Sequence, residues 1–129
     1  MRTLIALLLA AHGIGHVLFI ANAWGYWTTG EARSWLIGNA LGFGKRAEGI
    51  FSLLWLVPAL GFVIGGWALV ASQGDARAIL LSAAAISLTM VVLWWGSLVT
   101  VNAFFALLVD VAVIAYLLFR PGTVIAPGS

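Results

Sequence analysis

The sequence predicts an all-α fold, a transmembrane four-helix bundle, and three observations carry that expectation. Of 129 residues, 64% are apolar and only 8% charged, whereas a soluble domain carries about 25% charged residues to hydrate its surface. The apolar residues fall into four blocks near the length that crosses a hydrocarbon layer about 30 Å thick. The few charges sit between those blocks. Four spans with short connections use up the chain, so residues 1–129 read as a single transmembrane domain with no room for a soluble one.

The first span is expected at about residues 3–24, behind Arg2. A secretory signal competes for this stretch, because Ala21-Asn22-Ala23 fits a small-residue cleavage pattern, but the apolar run is long for a signal and two histidines interrupt it. From residue 25 to 44 the chain is mixed, and its apolar piece is too short to cross. Trp24, Tyr26, Trp27 and Trp35 surround it, so it reads as an interfacial or re-entrant segment.

The second span is expected at about 47–71, after Lys45 and Arg46. Pro58 sits in its middle and predicts a kink. Gly61 and Gly65 form a Gly-x-x-x-Gly face suited to close helix packing. The third span is placed at about 78–95 and the fourth at about 101–119, joined by so short a link that they form an antiparallel hairpin. Arg120-Pro121-Gly122 stops the last helix, and a disordered tail is expected beyond it. An even number of spans puts both termini on one side. Charge bias barely orients them: Arg2, Arg77 and Arg120 on one side oppose Arg33, Lys45 and Arg46 on the other. The N-terminal Arg2 tips the expectation to a cytoplasmic side in a multi-pass cell-membrane protein.

An ionisable side chain inside a span is costly and therefore a candidate site residue. His12 and His16 stand four apart on one helix face and could grip one ion. Gly13 and Gly15 between them leave little bulk, so a neighbouring helix or a flat ligand could approach there. Asp110 interrupts the run from Phe104 to Val113. Counting 1.5 Å per residue from Arg2 and from Arg120, His12 and Asp110 each lie about 15 Å deep. The matched depth predicts that Asp110 accepts a hydrogen bond from His12 or His16. The three residues are also a candidate metal set, because two histidines and a carboxylate suit a non-haem iron site. His12 or His16 could instead supply one axial ligand to a haem or chlorin, whereas both axial positions of one haem would need a second chain. Glu48 reads as an interfacial residue at a helix start, with inward ligation as its alternative. Ser52 and Asn102 are supporting polar candidates that satisfy backbone groups or bridge helices. The tryptophans and phenylalanines pack the bundle, anchor it at the interface or line a flat apolar pocket.

The His12-Gly13-Ile14-Gly15-His16 segment, the run from Leu53 to Val63 containing Pro58, and the Leu-Leu-Val-Asp run ending at Asp110 resemble a family of small bacterial four-helix integral membrane proteins. A looser similarity is to DoxX-like four-helix proteins. The resemblance covers most of the chain and implies the four-span architecture; it implies no activity.

Several function classes are excluded or weakened by composition. With no cysteine there is no disulfide, thiolate metal site or cysteine nucleophile. The net charge of +2 rests on scattered residues, so no nucleic-acid partner is expected. No Ser, His and acid set and no phosphate loop shows a suggestive spacing, so a hydrolase is not expected. Three readings stay open: a non-catalytic membrane subunit or small-ligand-binding protein with an intramembrane His/Asp cluster; a metal or tetrapyrrole protein for redox or pigment chemistry; and an oligomer that transports protons or a small solute. The lipid bilayer is the partner common to all three, with a membrane-protein partner or a second copy of the chain beside it.

Overall fold

The computed structural model describes residues 1–26, 34–95 and 100–119. Helix α1 spans Arg2–Ala23, α2 Lys45–Ser52, α3 Leu56–Val70, α4 Ala76–Leu93 and α5 Thr100–Phe119. A short 3₁₀ turn at Leu53–Trp55 joins α2 to α3, so the two act as one long rod. Among the described residues, four helices are long and apolar enough to cross a membrane. They form a bundle compatible with a multi-pass membrane protein.

Proline explains the break in the second rod. Pro58 has no N–H for the Leu54 carbonyl, and its ring crowds that carbonyl. The chain answers by tightening, so that the Leu56 N–H reaches the Leu53 carbonyl one residue sooner than in an α-helix. Past Pro58, which is buried, regular helix continues.

Helix contacts follow the small residues. In a bilayer the core and the lipid are equally apolar, so helices associate by close packing, not by hiding oil from water. Ala6 faces Gly66, Gly13 faces Ala59, and Trp24 reaches Gly49 with its indole N–H at 3.1 Å from the carbonyl. Each step forward on α1 is a step back along the second rod, which makes the pair antiparallel. On the other side of α3, Gly61 meets Ala83 and Gly65 meets Leu80 of α4. The Gly-x-x-x-Gly face thus serves helix packing. Large apolar side chains point away from these seams, among them Leu7, Leu8, Leu60, Ile64, Phe105 and Leu108. Such an outward-facing apolar surface suits lipid.

Between α1 and α5 the packing differs. Helix α1 lies along α3, α3 along α4 and α4 along α5, but α1 and α5 make no comparable backbone approach among the described residues. The ring of helices is closed there by side chains.

The segment between the first two spans is described from Ser34 onward. Trp35–Ala40 forms a single π-helical turn whose Gly38 N–H bonds the Ser34 hydroxyl at 2.9 Å. The Trp35 backbone N–H donates to the Trp95 carbonyl at 3.3 Å, and its indole N–H donates to the Val92 carbonyl. These bonds pin the segment over the C-terminal end of α4. Residues 27–33, the link predicted at 96–100 except Thr100, which begins α5, and the predicted disordered tail lie outside the described residues.

Two apolar clusters fill the bundle. One holds Leu9, Phe62, Leu69, Leu80 and Leu117; the other holds Phe19, Trp55, Met90 and Trp94. A polar layer lies between them.

Candidate functional site: a polar layer at an open helix seam

Four side chains from three helices build this layer. His12 and His16 come from α1, Ser87 from α4 and Asp110 from α5; His16, Ser87 and Asp110 are buried, and His12 keeps 13% of its side chain exposed. His12 Nε2 lies 3.0 Å from Asp110 Oδ1, and Asp110 Oδ2 lies 2.5 Å from Ser87 Oγ. Ser87 Oγ lies 2.6 Å from His16 Nε2, while His16 Nδ1 lies 2.9 Å from the His12 carbonyl. The chain of bonds starts and ends on His12.

Counting hydrogens shows which arrangements with neutral net charge let every bond of this layer form. A carbonyl only accepts, so His16 Nδ1 donates to it. Four bonds need four hydrogens. Two neutral imidazoles and one hydroxyl supply three of them: His16 Nδ1–H, Ser87 O–H and His12 Nε2–H. The fourth lies either on His16 Nε2, with Ser87 donating to an ionised Asp110, or on Asp110 Oδ2, with Ser87 donating to His16. In both arrangements the cluster has zero net charge and every bond is made. A neutral, fully bonded cluster is the form that an apolar layer accommodates at least cost.

The packing around it is aromatic. The two imidazoles meet edge to face with ring centres 4.7 Å apart, His12 lies edge-on to Phe62 at 4.8 Å, and His16 rests on Trp55 at 5.3 Å. Gly13 is what lets Phe62 come this close. A Cβ at Gly13 would stand 2.7 Å from the Ala59 carbonyl oxygen and 2.9 Å from Phe62 Cβ. At Gly13, then, a neighbouring helix makes the close approach expected of the two glycines, whereas at Gly15 a Cβ would meet nothing within 4 Å.

Gly15 opens onto a cavity of about 220 Å³ between α1 and α5, lined by His12, His16, Leu18, Phe19, Asn102, Phe105, Ala106 and Val109. A second, almost wholly apolar hollow of about 380 Å³ continues along the same seam, between the Met1–Leu9 stretch of α1 and the Leu108–Leu117 stretch of α5. Val109 lines both.

The structure brings His12, His16 and Asp110 together, with one donor atom of each within 4.8 Å of the others. A zinc-like ion with bonds of about 2.0–2.2 Å holds its ligand atoms closer than that. His12 Nε2 and both His16 nitrogens already serve hydrogen bonds, so an ion would have to replace those bonds and draw the helices in. The cavity beside the histidines, about 220 Å³, is by itself smaller than the roughly 300–1,000 Å³ of drug-sized ligand sites. Asn102 stands at the cavity wall across from α1. Ser52 is not drawn into the cluster; its hydroxyl donates to the Gly49 carbonyl of its own helix at 2.6 Å. Glu48 also lies outside the cluster; it stands in the first turn of α2, the helix start expected for it, and is buried there. Trp24 and Gly49 pack beside it, closing that turn against α1.

Ser87 is the member that the sequence does not single out. A serine within a membrane helix ordinarily bonds a carbonyl one turn back, as Thr89 does with Ala85 at 2.9 Å. Only its depth, one residue among the polar groups of the third span, hints at another use.

Compared with known proteins, the chain matches no family model, no curated protein and no solved structure at a significant level.

Proposed function

We propose that this chain is a non-catalytic, multi-pass membrane protein that binds a small lipid-soluble ligand at the α1–α5 seam, with both termini on the cytoplasmic side. One observation carries the reading: the partly exposed His12 forms the wall of a cavity at a helix seam that, among the described residues, close packing leaves open. A cluster needed only to glue helices would be expected where helices touch. Here it spans a gap, and Gly15 keeps that gap clear. The exposed flanks of the seam, Phe105 and Leu108, are apolar, so access is from the bilayer. Membership in the small bacterial four-helix family rests on the motif resemblance alone and belongs to the same proposal.

Native mass spectrometry of the protein released from lipid nanodiscs tests the reading, with the wild type beside Gly15→Phe. The expected result is one small apolar molecule per wild-type chain, absent from the folded variant. Equal occupancy of both, or none in either, would refute it.

A metal centre is the second reading, favoured by the three donors within 4.8 Å of one another. Iron, magnesium, zinc and copper are measured per chain on the same preparation. A near-stoichiometric metal lost in both His12→Ala and His16→Ala would put this reading first.

A further inference from the structure

The two hollows of the α1–α5 seam lie end to end, and they differ in charge and in depth. Arg2 carries the one permanently charged side chain among the described residues that line them, and it lines the larger hollow. Its Nη1 donates to Ser72 Oγ at 3.1 Å, which fixes the guanidinium beside the turn between α3 and α4. The 22 residues of α1 rise about 33 Å, just over the hydrocarbon thickness of about 30 Å. Arg2, the first of them, therefore stands at headgroup level. From there the hollow runs inward between Ile5 and Leu9 of α1 and Tyr116, Val113 and Val109 of α5. Its walls are hydrocarbon almost throughout, and Val109 joins it to the smaller hollow beside Gly15 and His12.

A cation at the membrane surface, above an apolar trough that deepens towards the bilayer centre, complements an anionic amphiphile lying in its ordinary bilayer orientation. We infer that the occupant is a single-chain fatty acid, with its carboxylate on Arg2 and its hydrocarbon tail running along the seam to Gly15. This inference rests on the ligand-binding reading above and assigns the ligand's class and direction. One guanidinium answers one negative charge, and its planar fork matches the two oxygens of a carboxylate. The hollow of about 380 Å³ lies at the low end of the roughly 300–1,000 Å³ of small-ligand sites, which suits one chain better than the two of a phospholipid. The opposite direction fails on charge. A carboxylate beside Gly15 would lie deep in the apolar layer with no lysine or arginine on the cavity wall and only the neutral His/Ser/Asp cluster next to it. A tail end there needs no counter-charge. About 15 Å separates Arg2 from His12 along α1, so a long chain anchored at Arg2 reaches the smaller hollow and a short one does not.

The test uses the full chain in phosphatidylcholine nanodiscs and two photoreactive palmitic acids, one with its diazirine next to the carboxylate and one with it at the tail end. The near-carboxylate probe is expected to label the first two turns of α1 and the Val113–Leu117 stretch of α5, and the tail-end probe α1 around Gly15 and α5 around Val109. Unlabelled palmitate should compete, and its methyl ester and hexadecane should not. Arg2→Gln should weaken binding roughly 5- to 12-fold, between the upper worth of an exposed ion pair and the lower worth of a charge-assisted hydrogen bond. Arg2→Lys, which keeps the charge, should retain most of the affinity. Ala112→Phe, which fills the trough from an exposed lining position, should abolish labelling by both probes. Competition by the ester as strong as by the acid, or unchanged affinity in Arg2→Gln, would overturn the inference, because no anionic head is then recognised. Phosphatidylglycerol competing better than palmitate would overturn it in favour of a two-chain lipid, and an inverted labelling map in favour of a head beside His12. In each of these cases saturable labelling at the seam survives, and with it the ligand-binding reading. Labelling that saturates with neither probe marks ordinary bilayer lipid and removes that reading itself.

Discussion

Two kinds of seam in this bundle are held by opposite means. Where α3 meets α1 and α4, glycines and alanines bring backbones together: Gly13 against Ala59, Gly66 against Ala6, Gly61 against Ala83. Where α1 faces α5, backbones stay apart, and the link runs through His12, Asp110, Ser87 and His16 beside two hollows. Close packing is self-sufficient in lipid and leaves no vacancy. A polar bridge holds two helices at a distance, and that distance is what makes room for a ligand.

Gly13 and Gly15 break this comparison most sharply, since they are two residues apart on one helix and belong to different seams. Gly13→Leu would drive its side chain into the Ala59 carbonyl and Phe62, and is expected to cost about 1–3 kcal/mol or to prevent folding. Gly15→Ala meets open space and is expected to be neutral or to gain up to about 1 kcal/mol from helix propensity. Reversible unfolding in mixed micelles measures both. Similar losses for the two variants would mean that the α1–α5 seam is packed like the other.

The next largest effect is expected at Asp110. Asp110→Leu strands His12 Nε2 and the Ser87–His16 pair, at about 1–3 kcal/mol for a buried group left unpaired. Asp110→Asn can accept from His12 and donate to Ser87, which then donates to His16, so all four bonds survive without an added charge. Its stability should stay within about 1 kcal/mol of wild type, the net worth of one ordinary hydrogen bond. A large loss in Asp110→Asn would single out the arrangement with an ionised Asp110 and a doubly protonated His16, whereas a small one fits the arrangement with the proton on Asp110.

Ser87→Ala should fall lower, at roughly 0.6–2 kcal/mol, because it removes the bridge yet leaves the His12–Asp110 bond. A small stability change is expected for Asn102→Leu, within about 0.5 kcal/mol for an exposed position. If Asn102→Leu destabilises the bundle appreciably, Asn102 is a structural residue and not part of a ligand wall.

Much of this architecture was legible before any coordinates. The spans expected at 3–24, 47–71, 78–95 and 101–119 correspond to Arg2–Ala23, Lys45–Val70, Ala76–Leu93 and Thr100–Phe119, because length and apolarity alone identify a crossing helix. The meeting of His12 and Asp110 followed from depth, which charges near the helix ends make countable. Helix facing was not legible. In a bilayer the outward and inward sides are both apolar, so nothing in the pattern told that Gly13 would be filled by α3 while Gly15 stayed open. Ser87 escaped for a related reason: its hydroxyl had a local partner available, and only the three-dimensional arrangement shows that it bridges Asp110 to His16. Glu48 escaped because burial of a first-turn residue depends on Trp24 folding back over α2, a contact between distant segments.

Alkylation of Gly15→Cys tests the central claim most directly, and the chain has no native cysteine to confuse it. The folded variant in lipid nanodiscs is treated with an apolar, membrane-permeant maleimide and, separately, with a charged one. A seam open to the bilayer predicts rapid modification by the apolar reagent and little reaction with the charged reagent. Equal reaction with the charged reagent would reveal a water-filled passage, and no reaction with either would reveal a closed seam. Each of those results would contradict a lipid-accessible ligand cavity beside His12.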